Sequence, residues 1–242
     1  MAMISFSKSL MSFSIFRIKT VAGANVAGFI LGTTLFSMFL MLTLYMQQVL
    51  GYSALKTGVS YLAVAGTSII WATVASQLVT RIGVKPVLVT GMSLMTVGLF
   101  TFTQVSVGGS YVRDLLPGFL IVAIGMAFSF VAITIAALAG IEAKEAGLAS
   151  GLINTSQQIG GALGIAILSS VAIATTNSAT SAGDAVPAAL TSGFQAAFWV
   201  GTAVAALGVL VSIVLIRKDE LAAVSLPESD AVVGVEGLAA AA

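Results

Sequence analysis

The sequence predicts an all-α membrane protein with six transmembrane helices. Six long stretches, 20–55, 57–80, 86–112, 115–141, 146–183 and 185–216, lie almost end to end and contain no charged residue. A helix needs about 20 apolar residues to cross the hydrocarbon of a bilayer, and every stretch is long enough. The chain is also 58% hydrophobic and only 8% charged, against roughly 25% charge in ordinary soluble domains. Water is therefore not its main solvent.

The chain opens with a leader, residues 1–20, expected to be cytoplasmic. Within it Phe6, Leu10, Phe13 and Phe16 stand at near-helical spacing opposite Ser5, Lys8 and Ser12, as in a helix lying on a membrane surface; a frayed polar leader fits equally well. Lys8, Arg17 and Lys19 precede an apolar run longer than the ~7–15 residues of a signal peptide, so the first helix is expected to stay attached. The six helices are expected at 21–46, 58–79, 87–105, 115–139, 148–172 and 194–216, each bounded by Gly, Pro or charge. Asp114 is placed to cap the fourth, with Pro117 in its first turn, where no backbone hydrogen bond is lost. Glu145 complements the start of the fifth. Residues 173–193, rich in Ala, Thr and Ser, read as a flexible outer connection, and residues 217–242 as a disordered acidic cytoplasmic tail.

Six crossings put both ends on one side of the bilayer. Lys8, Arg17, Lys19, Arg81, Lys85, Lys144, Arg217 and Lys218 fall in one set of loops, and Lys56 and Arg113 in the other. Cytoplasmic loops carry the excess of Lys and Arg, so both termini are expected in the cytoplasm. Tyr45, Tyr52, Tyr61 and Tyr111 then all fall near the outer interface, where amphipathic rings prefer to sit.

Composition excludes several functions. A net charge of +1 leaves no basic stripe for nucleic acid. With no Cys and no His, thiol chemistry, zinc and histidine acid–base catalysis are removed, and no cofactor is expected. All nine Asp and Glu lie between or beyond the apolar runs, so an intramembrane enzyme lacks its buried acid. Gly51 to Thr57 is not a phosphate loop, because Leu55 stands where its second glycine belongs.

Two stripes stand out. On the first helix Asn25, Gly28, Gly32, Phe36, Phe39, Thr43 and Gln47 fall within an arc of about 100 degrees, polar at both ends and aromatic in the middle. Lipid repels the amides, so this face looks at protein or at a wet cavity; cavity lining and ordinary packing both fit. On the fifth helix Gly147, Ser150, Gly151, Asn154, Gln158, Gly161 and Ser169 share a face, with Gln157 and Gly164 at its edge. Small residues spaced in this way let helix backbones approach closely, and plain packing is their commoner use. The three amides within one turn point further, to an interface that slides or gates, or to one wetted by a transport path.

These residues resemble the major facilitator superfamily, in particular the last six helices of its fourteen-helix drug:proton antiporter branch. The resemblance is carried by Tyr45-Met46-Gln47-Gln48-Val49-Leu50-Gly51-Tyr52-Ser53, by Gly147-Leu148-Ala149-Ser150-Gly151 and by Gln157-Gln158-Ile159-Gly160-Gly161-Ala162-Leu163-Gly164. The turn from Ser76 to Lys85 is similar to the family's glycine-aspartate-arginine loop, matching at Arg81, Gly83 and Lys85 but not at Ser76 or Thr80. A positive inner turn explains Arg81 and Lys85 equally.

The resemblance implies one half of a major-facilitator fold, two inverted three-helix repeats that rock against another half. It implies that the first and fourth helices line the cavity, the second and fifth meet the other half, and the third and sixth face lipid. The substrate cavity is then expected at Asn25, Phe36, Phe39, Thr43 and Gln47, and the gating interface at Gly147, Gly151, Asn154, Gln157, Gln158, Gly161 and Gly164. The expected function is export of hydrophobic or amphipathic drug-like compounds from a cell. The partners would be the lipid bilayer, a small hydrophobic substrate, and either an N-terminal transporter half or a second copy of the chain. The alternative is a non-transporting membrane interaction protein or an inactive transporter fragment. Since the spans hold no Asp or Glu, this chain by itself has no buried carboxylate to couple proton flow.

Overall fold

A computed structural model describes residues 19–138, 141 and 145–216. The expectations for the leader with Lys8 and Arg17, for Lys144, and for the tail with Arg217 and Lys218 lie outside the described residues. Within them the chain is helical and contains no strand. The helices are α1 (Lys19–Gln48), α2 (Ala54–Ser60), α3 (Leu62–Ile82), α4 (Val84–Phe102), α5 (Leu116–Leu138), α6 (Ala146–Ser181) and α7 (Val186–Leu215). Helices α2 and α3 make one span, offset at Tyr61, and a π-helical turn, Tyr111–Leu115, leads into α5. Among the described residues six spans are thus long and apolar enough to cross a membrane.

Several boundaries differ from the sequence reading, each for a physical reason. The second span starts at Ala54 because Ser53 caps it, its hydroxyl accepting from the Lys56 amide at 3.2 Å. Asp114 is not the cap of the fourth span. Ser110 occupies that position, and the Asp114 carboxylate reaches back to accept from the Ser110 amide at 2.6 Å while pairing with Arg113 at 3.0 Å. Pro117 is the second residue of α5, in its first turn as expected, and the wide turn Tyr111–Leu115 precedes it where its ring and missing N–H would disturb a regular helix. Glu145 stands at the start of α6 without a side-chain capping bond.

The largest correction concerns residues 173–193. They are not a flexible connection: α6 continues to Ser181, and α7 begins at Val186 with Pro187 in its first turn. Their hydroxyls mimic a loop composition, yet in the helix they bond to their own backbone, Thr180 to the Thr176 carbonyl at 2.9 Å and Thr191 to the Pro187 carbonyl at 2.7 Å. Alanine, the best helix former, supplies much of the rest.

The packing reveals an internal exchange. Helix α1 lies mainly against α6 and α7, and α5 mainly against α4 and α3. Swapping the first three spans for the last three maps one set of neighbours onto the other, as two inverted repeats require. Close crossings make this possible. Where α4 meets α5, a Cβ on Gly125 would stand 2.7 Å from the Met95 amide, and one on Gly91 would stand 2.6 Å from the Ser129 hydroxyl. The fully buried core is aromatic and methionine-rich, with Phe102 ringed by Phe119 and Phe198 at 5.7 and 5.6 Å.

The two ends of the bundle differ. At one, Tyr45 donates to the Ser106 carbonyl at 2.7 Å, Tyr111 to the Ser60 carbonyl at 2.8 Å, and Lys56 lies 3.5 Å over the Tyr52 ring. The tyrosines thus converge, and three of the rings cap the core rather than merely fringe it. At the other end α3 passes into α4 through the single residue Gly83, whose φ of +88° suits only glycine. There Lys85 donates to the Ile213 carbonyl at 2.6 Å, in the last turn of α7.

Candidate substrate site and gating face

The α1 stripe proves to be divided along its length. Near its start Asn25 is buried against α6: its amide nitrogen donates to the Val21 carbonyl, and its oxygen accepts from the Ser156 hydroxyl, both at 2.9 Å. It ties α1 to α6 and is not among the residues lining the pocket described below. Gly28 and Gly32 follow, and a Cβ on either would strike Ile153 or the Gln157 backbone. Phe36, at mid-helix, is 39% exposed. Phe39 and Thr43 lie beneath Tyr61, whose ring is 5.1 Å from that of Phe39 and whose hydroxyl is 2.9 Å from Thr43 and 3.0 Å from the Phe39 carbonyl. Gln47 is exposed in the last turn.

The α6 stripe divides too. Gly160, Gly161 and Gly164 point into α1: a Cβ on Gly160 would meet the Phe29 carbonyl, one on Gly164 the Ser37 hydroxyl at 2.6 Å, and one on Gly161 the Phe36 ring. Thr33 stitches this crossing, its hydroxyl 3.0 Å from the Gly160 carbonyl. Gly161 and Gly164 therefore serve packing within this unit and are not free to contact another half. Gly147 and Gly151 have open space around them, and Asn154 and Gln158 are exposed on the same helix.

Where the two stripes meet, a pocket of about 220 Å³ opens, lined by Leu31, Gly32, Leu35 and Phe36 of α1, Phe130 of α5, and Asn154, Gln157 and Gln158 of α6. It joins one expected cavity residue to the three amides expected at the gate. Gly161 sets the position of Phe36 by letting the ring lie against α6. Phe130 was not singled out in the sequence because its helix is apolar all round. The one available signal was that it is a large ring within the fourth span, which the family resemblance places at the cavity.

Phe130 also borders a second, apolar groove of about 570 Å³ between α3 and α5, with Ile69, Ala72, Met126 and Ile135 among its walls. The groove and the pocket share this one ring, and exchanging the repeats carries the α1–α6 pair onto the α5–α3 pair. The spans least buried within the bundle are the α2–α3 span, followed by α6. At the loop motif, Arg81 is exposed in the last turn of α3 and Gly83 makes the joint, while Lys85 is engaged by α7.

Six apolar spans in two exchanged repeats, with a pocket between α1 and α6 that reaches Phe130 of α5, define a membrane transport fold. Residues 4–165 match the sequence profile of the Major Facilitator Superfamily, and the chain belongs to that family. Among similar curated proteins are the puromycin resistance protein pur8 of Streptomyces alboniger, 31% identical over 73% of this chain and 35% of its own length, and the cephamycin export protein CmcT of Amycolatopsis lactamdurans, 30% identical over 81% and 39%. A multidrug resistance protein B homolog of Mycobacterium tuberculosis is 30% identical over 66% of this chain and 30% of its own length. The chain thus spans about a third of the length of the curated relatives it matches.

Proposed function

We propose that these six helices act as one half of an export carrier for hydrophobic or amphipathic drug-like compounds, rocking in alternating access against an N-terminal six-helix half or a second copy. The observation that carries this reading is the pocket uniting Phe36, Phe130 and the α6 amides, apolar enough for an oily guest and edged with a few polar groups to orient it. The poorly buried faces of α3 and α6 supply the surface for the other half, with Gly147, Gly151, Asn154 and Gln158 exposed on it. The names of the relatives, which speak of resistance and export, support the same class of cargo. Both termini face the cytoplasm of the cell membrane in this reading, as the Lys and Arg bias requires.

The test is resistance to hydrophobic antibiotics and efflux of Nile red in cells that express the chain with and without a matching N-terminal half. Efflux that needs both halves establishes an N-terminal partner, and efflux by the chain alone establishes a second copy. Absence of efflux in both overturns the carrier reading in favour of a non-transporting membrane protein. A reporter fused after Lys218 should be active only in the cytoplasm; activity outside the cell reverses the topology.

A further inference from the structure

Phe130 lines two hollows whose polar side chains differ in kind, hydroxyls in one and carboxamides in the other. In the α3–α5 groove, Ser68 and Thr134 spend their hydroxyls on their own helices, bonding to the Ala65 and Phe130 carbonyls at 2.9 and 2.8 Å, and Ser76 offers one further hydroxyl. In the α1–α6 pocket, the carboxamides of Asn154, Gln157 and Gln158 make no side-chain hydrogen bond with any described residue. Each carboxamide offers two N–H donors and one carbonyl acceptor. The pocket therefore presents several unspent donors and acceptors beside two phenyl rings, inside an apolar span. Unpaired amides of this kind need a partner, from a ligand in the pocket or from a facing half, because hydrocarbon offers none.

The pocket also lacks charge: no Asp, Glu, Lys or Arg lines it. A cation entering it would give up its water and find only phenyl faces and amide carbonyls, with no counter-ion. An anion would find N–H donors but no positive group. A neutral ligand that combines a flat apolar body with a donor–acceptor pair meets every feature at once, its body between Phe36 and Phe130 and its polar edge on the amides.

We propose that the α1–α6 pocket is a recognition subsite for an uncharged hydrogen-bonding group, an aryl carboxamide or its chemical equivalent, with Asn154 and Gln158 selecting it over charged analogues. The proposal rests on the export reading and specifies what the carrier's site accepts. It reassigns the α6 amides from a gating contact to ligand contacts.

The test uses the 242-residue chain in lipid nanodiscs, with empty nanodiscs as the blank. Three probes of one shape are titrated by fluorescence: 2-naphthamide, 2-naphthoate and (2-naphthylmethyl)trimethylammonium. The amide should bind saturably at one site per chain, with an affinity at least about tenfold above either ion, and Asn154→Leu with Gln158→Leu should weaken it by about tenfold or more. Ile167→Ala, on the exposed apolar face of α6, should leave it unchanged. Equal or tighter binding of either ion, no saturable amide binding, or indifference to the double substitution overturns the proposal. Should the double variant fail to fold, the ranking of the three probes on the unaltered chain still decides. Nile red efflux with no amide preference discards this subsite and keeps the carrier, whereas amide preference without efflux keeps the subsite and discards the carrier.

Discussion

The Phe36 ring of α1 lies directly over Gly161 of α6, where a single added methyl would overlap it. One side wall of the pocket is thus held in place by an absent side chain on the neighbouring helix.

Replacing Gly161 by Ala should therefore displace Phe36 and close the pocket while leaving the helices inserted. Overpacking at such a contact costs about 1–3 kcal/mol. Thermal unfolding in detergent measures the cost, and loss of saturable ligand binding measures the displacement. An unchanged melting profile would show that the ring is not confined there.

Gly164 and Gly151 stand on one helix but in different surroundings. Gly164→Val should destabilise the isolated chain by about 1–3 kcal/mol or more, since its Cβ enters the space of Thr33 and Ser37. Gly151→Val should be silent in the isolated chain, having nothing near it, and should reduce efflux only when the partner half is present. Equal effects of the two in the isolated chain would refute the division of the α6 stripe.

The Asn25–Ser156 bond can be weighed by a double-mutant cycle with Asn25→Ala and Ser156→Ala. Interhelical hydrogen bonds in membranes contribute about 0.6–2 kcal/mol, and a coupling of that size is expected from unfolding titrations. A coupling indistinguishable from zero would return Asn25 to the cavity.

At the Gly83 joint, Lys85→Ala should lower stability by about 0.3–1 kcal/mol through loss of a cation at the C-terminal end of α7. Arg81→Ala, at an exposed position, should not. Gly83→Val should cost about 1–3 kcal/mol, because a β-branched residue at φ +88° is strained. Ranking the three by melting temperature separates the structural lysine from the solvent-facing arginine.

Tyr61→Phe keeps the ring against Phe39 and Phe119 but removes the hydroxyl shared with Thr43 and the Phe39 carbonyl. A cost of about 1 kcal/mol is expected, the size of one net hydrogen bond. Tyr61→Leu should cost more, because it also removes the ring contacts with Phe39 and Phe119 at 5.1 and 5.3 Å.

Much of this architecture is legible in the chain because hydropathy over some twenty residues is a long, redundant signal. The ends of α6 and α7 were not, since Ser, Thr and Asn have the composition of a loop until their hydroxyls turn back onto the helix, as at Thr180. The stripes were legible as faces but not as contacts. Periodicity shows that Asn25, Gly28 and Gly32 share a side, whereas only the fold shows that α6 of the same unit occupies it. For the same reason Gly161 and Gly164 read as a surface for another half when their partner is α1. Phe130 carried no contrast against its neighbours, and Lys85 looked like a topology signal although it caps α7.

The exchange of neighbours between the repeats bears on how the protein is made. Thr33 and Gly160, which touch across α1 and α6, stand 127 residues apart, and a ribosome adding roughly 5–20 residues per second separates their synthesis by many seconds. During that interval the first segment lacks the α6 contacts that its glycine face and Asn25 make in the folded unit. The α1–α6 crossing can therefore close only late in synthesis, after the fifth segment has entered the bilayer.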